Sequence, residues 1–255
     1  MNLRHDNLEE FQDPANYDLE EIPISTDRIR FFVELAQSVG GPVLEIACGS
    51  GIVALPVAGR GLPVTGVDLA QPMLAHAEAK ARRLGQTVEW VRADARSFNL
   101  GRRFRFVYIT GNAFQAFLTR ADQDAFLRTV RRHLVPDGTF AFETRNPAGH
   151  DLSTQFGEET WFTYTSVEGW TVTVSGKQAY DPDAQVLHWT TYRRWSESGS
   201  VRARTTHIAC RFTDVATLDT LLADHGFTVR ERFGGWGREP FEPNRPAIIS
   251  ICGLA

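Results

Sequence analysis

A glycine-rich turn and a downstream carboxylate are the first residues whose types and spacing could bind a ligand. Gly49-Ser-Gly-Ile-Val-Ala54 has the spacing G-x-G-x-x-A between an apolar and a helical segment, and Asp68 follows it. Such a turn brings backbone N–H groups close to a ligand, while the carboxylate accepts hydrogen bonds from a ribose. Taken alone, the motif fits a nicotinamide or flavin dinucleotide.

The charge of a side chain beside this turn distinguishes between the two kinds of ligand that the turn could bind. Glu45 lies just before the turn Ala47-Cys-Gly-Ser-Gly51. A dinucleotide would bring a pyrophosphate to the helix N-terminus, where a carboxylate would repel it. S-adenosylmethionine carries an ammonium and a sulfonium and no phosphate, so the same carboxylate attracts it. Asp68 can accept both ribose hydroxyls, and Asp94 can accept from the adenine amino group. We therefore expect S-adenosylmethionine, and an NAD(P)-dependent oxidoreductase is the alternative.

The elements that must position these acids alternate between short apolar strands and longer amphipathic stretches. This alternation predicts parallel βαβ units in a doubly wound α/β fold. The predicted strands lie near 43–47, 64–67, 88–91, 104–110 and 138–144, and the predicted helices near 27–39, 51–60, 71–84 and 121–134.

The second half of the chain has a different texture. Residues 160–212 are rich in threonine, tryptophan, tyrosine and valine, which fit a pleated, half-buried surface and predict an antiparallel sheet. A helix over 214–225, ended by Gly226, and strands over 227–233 and 247–252 are expected to complete the parallel core. The predicted fold is α/β, with a doubly wound, mainly parallel seven-stranded sheet and an inserted antiparallel lid.

The order and spacing of five segments resemble those of the class I (Rossmann-like) S-adenosylmethionine-dependent methyltransferases, across roughly residues 28 to 145. The matching segments are Val43-Leu-Glu-Ile-Ala-Cys-Gly-Ser-Gly51, Gly66-Val-Asp-Leu-Ala-Gln-Pro-Met-Leu74, Ala93-Asp-Ala95, Phe104-Arg-Phe-Val-Tyr-Ile-Thr-Gly111 and Leu134-Val-Pro-Asp-Gly-Thr-Phe140.

The resemblance implies a set of cofactor-binding residues, with S-adenosylhomocysteine as the product. In that family, residues in the glycine turn border the methionine moiety, the acid of the second strand and its neighbour hold ribose and adenine, and the end of the fourth strand lies beside the transferred methyl. The residues expected to bind the cofactor are Tyr17, Glu45, Ala47, Gly49, Gly51, Asp68, Leu69, Met73, Asp94, Ala95, Thr110 and Gly111.

Methyl transfer is an in-line displacement, so the enzyme mainly aligns the acceptor and excludes water. A general base is needed only when the acceptor must lose a proton. Glu143 and His150 are the candidates for that base, against the simpler interpretations of a strand-end ion pair and a loop histidine. The carboxyl ends of the strands and the inserted sheet supply possible acceptor walls. These wall residues are Tyr17, Asn112, Phe114, Arg145, Asn146 and Trp161 or Tyr164.

The acceptor class is narrowed by what the sequence lacks. The fourth strand ends in Tyr108-Ile-Thr-Gly-Asn112. It lacks the Asn/Asp-Pro-Pro-Tyr/Phe segment of families that methylate amino groups of adenine or glutamine. It also lacks the Pro-Cys pair of cytosine C5 methyltransferases. The insertion also resembles the lid of small-molecule N-methyltransferases, including those acting on glycine and amino sugars. We expect methylation of N or O in a small molecule, and a non-catalytic cofactor-binding protein is a further alternative.

Composition sets the remaining expectations. The 255 residues predict one methyltransferase domain, in which 1–42 is an N-terminal helical segment, 43–150 the cofactor-binding core, 151–212 the lid and 213–255 the completion of the core. A net charge of −4 disfavours nucleic acid as a partner, no segment is long and apolar enough for a membrane span, and a homodimer is an open possibility. Three distant cysteines suit the cytoplasm, and the histidines lack metal-ligand spacing.

Overall fold

The computed structural model describes residues 7–21 and 25–255. Its six α-helices are α1 (Pro14–Glu21), α2 (Thr26–Val39), α3 (Ala54–Ala58), α4 (Gln71–Arg83), α5 (Arg120–His133) and α6 (Val215–Asp224). Its eleven strands are β1 (Val43–Ile46), β2 (Val64–Asp68), β3 (Glu89–Arg92), β4 (Phe104–Ile109), β5 (Leu134–Arg145), β6 (Glu159–Thr165), β7 (Thr171–Asp181), β8 (Val186–Glu197), β9 (Ser200–Arg211), β10 (Phe227–Phe233) and β11 (Ala247–Leu254).

Seven strands form the core sheet in the order β10-β11-β5-β4-β1-β2-β3. The predicted mainly parallel seven-stranded sheet is confirmed, and its strands β1 to β5 pair in parallel. The two final strands complete this sheet as expected, and β11 is the exception to its parallel order, since it pairs antiparallel with β5 and β10. The link from β10 to β11 contains no helix, and a chain without a crossover helix joins neighbouring strands in antiparallel order.

Burial explains why the core strands form where the sequence predicted them. Every residue of β1 is buried, as expected for a parallel strand covered by helices on both faces. Helix α5 buries Phe126, Leu127 and Val130 at helical spacing against this sheet. Helix α3 is shorter than the predicted 51–60, because residues 49–51 form a turn with positive φ at both glycines. Pro56 is the third residue of α3, where a backbone N–H has no intrahelical partner to lose.

Four strands form a separate antiparallel sheet in the order β6-β7-β8-β9, which we call the lid. The antiparallel sheet predicted over 160–212 is confirmed. Strands β8 and β9 are joined by the two residues Ser198 and Gly199, with φ of 50° and 79°. Positive φ at both positions gives the turn whose twist matches that of the paired strands.

The segment 7–21, which we call the strap, contains a short 3-10 helix (Glu9–Gln12) and α1. It contacts both the lid and the core. Asn7 exchanges two hydrogen bonds with the backbone of Ala209 in β9, and Asp18 accepts from Lys80 of α4 at 2.5 Å. Within the described residues, no helix has the length and apolar character required to cross a bilayer.

Candidate functional site

A cavity of about 1340 Å³ opens at the carboxyl ends of the core strands, between the core, the strap and the lid. Open α/β sheets bind their ligands at this edge, because the loops after the strands converge there. The core contributes the glycine turn and the ends of β2 and β4, and the lid contributes strands β6 to β9. All of the predicted cofactor residues line this cavity except Glu45 and Gly51.

The glycine turn is fastened to the end of β2 by one carboxylate. Asp68 accepts hydrogen bonds from the backbone N–H of Gly49 at 2.7 Å and of Ala70 at 2.8 Å. Burial raises the pKa of Asp68, and these backbone donors oppose that rise. A carboxylate has more lone pairs than two donors occupy, so Asp68 can still accept from a ligand in the cavity.

Gly51 is required by packing and does not face the cavity. Its φ is 77°, and an added Cβ would lie 2.9 Å from the indole of Trp90. The ring of Trp90 also lies against Gly66, so two glycines make room for one indole beneath the turn. Gly51 therefore shapes the turn from behind.

Asp94 lies at the mouth of the cavity in an exposed ion-pair cluster. Arg96 pairs with Asp94 at 2.6 Å and with Asp122 at 2.7 Å. The hydrogen bonds from Arg96 lower the pKa of Asp94 and keep it ionised. Leu69, with 37 % of its surface exposed, and Ala95 complete this side of the wall.

Glu45 lies beneath the glycine turn instead of on the cavity wall. It is 1 % exposed, and the Tyr108 hydroxyl donates to its Oε2 at 2.9 Å. Burial raises the pKa of Glu45 to about 8, while the Tyr108 hydrogen bond and the charge of Arg28 act in the opposite direction. At neutral pH this carboxyl is therefore largely protonated, and its ionised form acts on a ligand only through the turn.

Glu143 is also buried behind the wall, at 2 % exposure. Its Oε1 accepts from the Thr110 hydroxyl at 3.1 Å and from the backbone N–H of Asn112 at 3.0 Å. Asn112 has a φ of 56°, so Glu143 stabilises the left-handed turn that follows β4. Burial raises the pKa of Glu143. The structure places this base candidate outside the cavity.

His150, the second base candidate, packs away from the cavity. Its Nδ1 lies 3.0 Å from the Asn146 carbonyl oxygen, and its ring lies 5.7 Å from that of Phe212. Burial lowers the pKa of His150. Neither base candidate lines the described cavity wall.

The predicted acceptor walls divide into two groups. Tyr17, Asn112, Arg145 and Trp161 line the cavity. The other three lie elsewhere. Phe114 is buried in the core, Asn146 donates to the carbonyl oxygens of Pro243 and Arg245, and Tyr164 is half-buried outside the wall.

Ion pairs between the strap and the lid are the functional feature that sequence reasoning missed. Arg193 of β8 is 8 % exposed and bonds both carboxylate oxygens of Glu20, at 2.8 and 2.9 Å. It also pairs with Glu10 of the strap. These partners are more than 170 positions apart in the chain, so no local pattern indicates their contact.

A second set of contacts fastens the strap to the core. Asp18 accepts from the Ser50 hydroxyl in the glycine turn, from Lys80 and from His76, which lies 3.1 Å away. The neighbouring Tyr17 faces the cavity, and burial raises the pKa of its hydroxyl. The strap thus closes the cavity from one side and contacts the turn directly.

Arg28 of α2 was also missed, and it lies behind the wall near the end of β4. Its side chain is 13 % exposed, and it donates to Glu21 at 3.3 Å. A Cβ at Gly111 would lie 3.9 Å from Nη1 of Arg28, and its Nε is buried without a hydrogen-bond partner. A guanidinium beside Gly111 with an unused donor can hold a carboxylate.

Comparison with known proteins identifies the domain. Residues 43–138 match a family described as a methyltransferase domain. A Streptomyces cypemycin N-terminal methyltransferase is 33 % identical over 109 residues, which are 43 % of this chain and 44 % of that protein. The ubiquinone biosynthesis O-methyltransferase of Pseudomonas putida (strain GB-1) is 29 % identical over 130 residues, covering 49 % and 54 %. The chain spans about half the length of the curated relatives it matches.

Solved structures match over almost the whole chain. The CcbJ methyltransferase of Streptomyces caelestis has a TM-score of 0.83 at 26 % identity, covering 98 % of this chain and 100 % of that one. An S-adenosylmethionine-dependent methyltransferase of Clostridium acetobutylicum ATCC 824 has a TM-score of 0.81 at 15 % identity, covering 94 % and 97 %. Residues 43–138 are therefore a methyltransferase domain, and the chain has the class I, Rossmann-like fold of the S-adenosylmethionine-dependent methyltransferases.

Proposed function

We propose that this protein transfers the methyl group of S-adenosylmethionine to an amine nitrogen of a small molecule. The observation that carries the proposal is a single cavity that extends from Asp68 and the glycine turn to the aromatic wall of the lid. One end has the groups that an adenosyl ligand requires. The other end is enclosed by side chains that suit a small, partly apolar acceptor.

The residues present fit S-adenosylmethionine. Asp68 would accept the ribose hydroxyls, and Asp94 with the Ala95 backbone would hold the adenine. Arg28, which lies behind Gly111, would attract the carboxylate of the methionine moiety by its charge. The carboxyl of Glu45, whose pKa burial raises to about 8, would ionise as the ammonium and the sulfonium bind above the turn, because a nearby cation lowers the pKa of a carboxyl. A pyrophosphate would instead keep Glu45 protonated, so a dinucleotide would gain no such attraction.

The cavity wall supports an amine acceptor over a hydroxyl. A hydroxyl must lose its proton for methyl transfer, whereas a neutral amine attacks with its lone pair and loses a proton afterwards. The described wall contains no histidine. Each of its acids already has a partner: Glu10 and Glu20 have Arg193, Glu21 has Arg28, Asp94 and Asp122 have Arg96, and Asp68 has backbone donors. The relatives include both an N- and an O-methyltransferase.

The remaining contribution of the chain is alignment and exclusion of water. When bound, S-adenosylmethionine supplies an electrophilic methyl on a sulfonium that leaves as a neutral thioether. The strap and the lid would enclose the acceptor, and Glu143 fixes the turn of Gly111 and Asn112 that would border the methyl group. Holding both reactants in line contributes much of the rate enhancement that such a displacement needs.

Methyl transfer to an amine can be measured directly. The protein is incubated with methyl-labelled S-adenosylmethionine and a panel of small amines, each paired with the alcohol of the same skeleton. We expect labelled product from at least one amine and none from its alcohol. Asp68→Ala should abolish the signal, and the exposed Asp137→Ala should not. Labelled alcohols without labelled amines would contradict the choice of nitrogen, and cofactor binding without any labelled product would contradict catalysis.

A further inference from the structure

Four arginines line or flank the cavity, and they differ in how their charges are balanced. Arg28, Arg96 and Arg193 each form ion pairs with strap or core carboxylates. Arg145, at the end of β5, lines the cavity and forms no ion pair with any carboxylate of residues 7–21 or 25–255. A cationic side chain in a partly buried wall without an acid partner is unusual, since removal from water costs free energy that an anion would offset.

The side chain of Arg145 is held in place on three sides. Its Nη1 donates to Oε1 of the buried Gln115 at 3.1 Å, and its backbone N–H donates to the same oxygen at 3.3 Å. Gln115 is itself fixed, because its Nε2 donates to the Arg211 carbonyl at 3.1 Å. The guanidinium lies over the indole of Trp189, 5.5 Å from the ring centre, and beside the thiol of Cys210. A guanidinium has five N–H donors, so these contacts leave donors for a ligand.

We propose that Arg145 binds a carboxylate of the methyl acceptor, so that the substrate is an amine that also carries a carboxylate. This assignment rests on the proposed function and specifies its substrate class. An arginine binds a carboxylate through two parallel hydrogen bonds, and a preoriented guanidinium loses little freedom in forming them.

The position of Arg145 separates its anion from that of the cofactor. Its contacts Trp189 and Cys210 belong to lid strands β8 and β9, at the acceptor end. Arg28 instead lies beside Gly111, next to the glycine turn. Arg28, beside Gly111, and Arg145, against Trp189 of the lid, would account for one carboxylate on the cofactor and one on the acceptor.

The surrounding charges favour a monoanion over a phosphate. The other cavity arginines are neutralised, and the wall also contains Glu10, Glu20 and Asp122. Because these acids are paired with those arginines, Arg145 leaves one unbalanced positive charge, which matches one carboxylate better than a dianion. The lid wall near Arg145 contains Trp189, Ile208 and Val174, so the body of the acceptor is expected to be apolar.

Binding of carboxylate probes tests this assignment without knowledge of the substrate. The full chain is saturated with S-adenosylhomocysteine and titrated in a calorimeter with acetate, phenylacetate and indole-3-acetate, and with the amide of each acid. At least one acid should bind roughly tenfold or more tightly than its amide, because hydrogen bonds to a charged group are the stronger ones. Arg145→Gln should remove this preference, and Arg145→Lys should retain part of it.

The controls distinguish the possible failures. Arg145→Gln should leave the affinity for S-adenosylhomocysteine within about twofold of wild type, which also shows that the variant is folded. Arg211→Gln, outside the cavity wall, should keep the preference for the acid. No preference for any acid in a protein that binds S-adenosylhomocysteine would overturn this assignment alone, as would a preference that survives Arg145→Gln. A wild-type protein that does not bind S-adenosylhomocysteine would overturn the proposed function, and this assignment with it.

Discussion

The two ends of the cavity are built by different means. At the cofactor end, the wall consists of turns that directly follow β1, β2 and β4, and one carboxylate, Asp68, bonds the backbone of the turn. At the acceptor end, the wall is assembled from the strap, the end of β5 and the lid, and Arg193 joins segments more than 170 positions apart. A local backbone framework thus holds one reactant, and long-range ion pairs enclose the other.

The contrast predicts that damage to each end has separate consequences. Changes at the strap and lid should remove acceptor binding and stability while the cofactor still binds. Changes at the glycine turn should remove the cofactor. The four predictions below run from the largest expected effect to the smallest.

Arg193→Met should break the acceptor end. It leaves Glu10 and Glu20 unpaired in a half-buried position, which costs about 3 kcal/mol or more. The free energy of unfolding should fall by that amount, the strap should become sensitive to protease, and methyl transfer should be lost. The matched control is Arg194→Met on the opposite face of β8, where the exposed pair with Glu158 is screened by solvent and contributes little to stability. Equal losses in the two variants would show that the strap and lid pairing has no special role.

Asp68→Ala should break the cofactor end. It removes the acceptor for two ribose hydroxyls, at about 1.5 to 3 kcal/mol for each hydrogen bond to a charge, so affinity for S-adenosylhomocysteine should fall by about a hundredfold or more. Asp137→Ala, at the opposite edge of the core sheet, is the control and should bind as wild type. Unchanged affinity in Asp68→Ala, measured by calorimetry, would place the cofactor elsewhere.

Glu45→Gln should change two properties of the cofactor end, the pH dependence of stability and the affinity for the cationic cofactor. The pKa of Glu45 in the folded protein is about 8, above its ordinary value of 4.5, because burial favours the protonated form. Its contribution to stability is therefore present at low pH and is lost as the pH rises toward 8. The glutamine cannot ionise, so the variant does not lose this stability. The difference in the free energy of unfolding, variant minus wild type, should therefore be about 2 to 4 kcal/mol larger at pH 8 than at pH 5.

Denaturant unfolding at both pH values measures this difference. The exposed Glu34→Gln is the control and should show none. S-adenosylmethionine should bind Glu45→Gln more weakly than wild type, since a glutamine cannot ionise in response to the bound cation. If the difference in the free energy of unfolding between Glu45→Gln and wild type is the same at both pH values, the pKa of Glu45 is not raised by burial.

Gly51→Ala should have a smaller effect, confined to the turn. Both Gly51 and Gly61 have positive φ, at 77° and 79°, so an alanine at either position is strained by about 1 kcal/mol. Only at Gly51 does the new methyl also meet Trp90, whereas nothing lies within 4 Å at Gly61. Gly51→Ala should therefore be roughly 1 to 2 kcal/mol less stable than Gly61→Ala in thermal unfolding. Equal stabilities would show that the indole moves freely.

The sequence predicted most of the cofactor end because its determinants are local. Strand periodicity, the glycine spacing and acids at strand ends all lie within short windows, and Asp68, Asp94 and Gly49 line the cavity as expected. The direction of each side chain was less predictable. Glu45 and Glu143 end up behind the wall, because Tyr108 and the turn at Asn112 bind them there.

The acceptor end could not be predicted to the same depth. The sequence indicated an aromatic antiparallel sheet, and Trp161 does line the cavity. The partners of Arg193, the position of Asp18 over the glycine turn and the missing ion pair of Arg145 within residues 7–21 and 25–255 depend on how three distant segments pack. No periodicity or spacing in the sequence contains that information.

The central claim is that the cavity beside the glycine turn is built for S-adenosylmethionine and its product. Calorimetric titration of the wild-type protein with S-adenosylhomocysteine and, separately, with NAD tests it most directly. We expect one molecule of S-adenosylhomocysteine to bind per chain, with NAD giving no measurable heat. Binding of NAD without binding of S-adenosylhomocysteine would contradict the account.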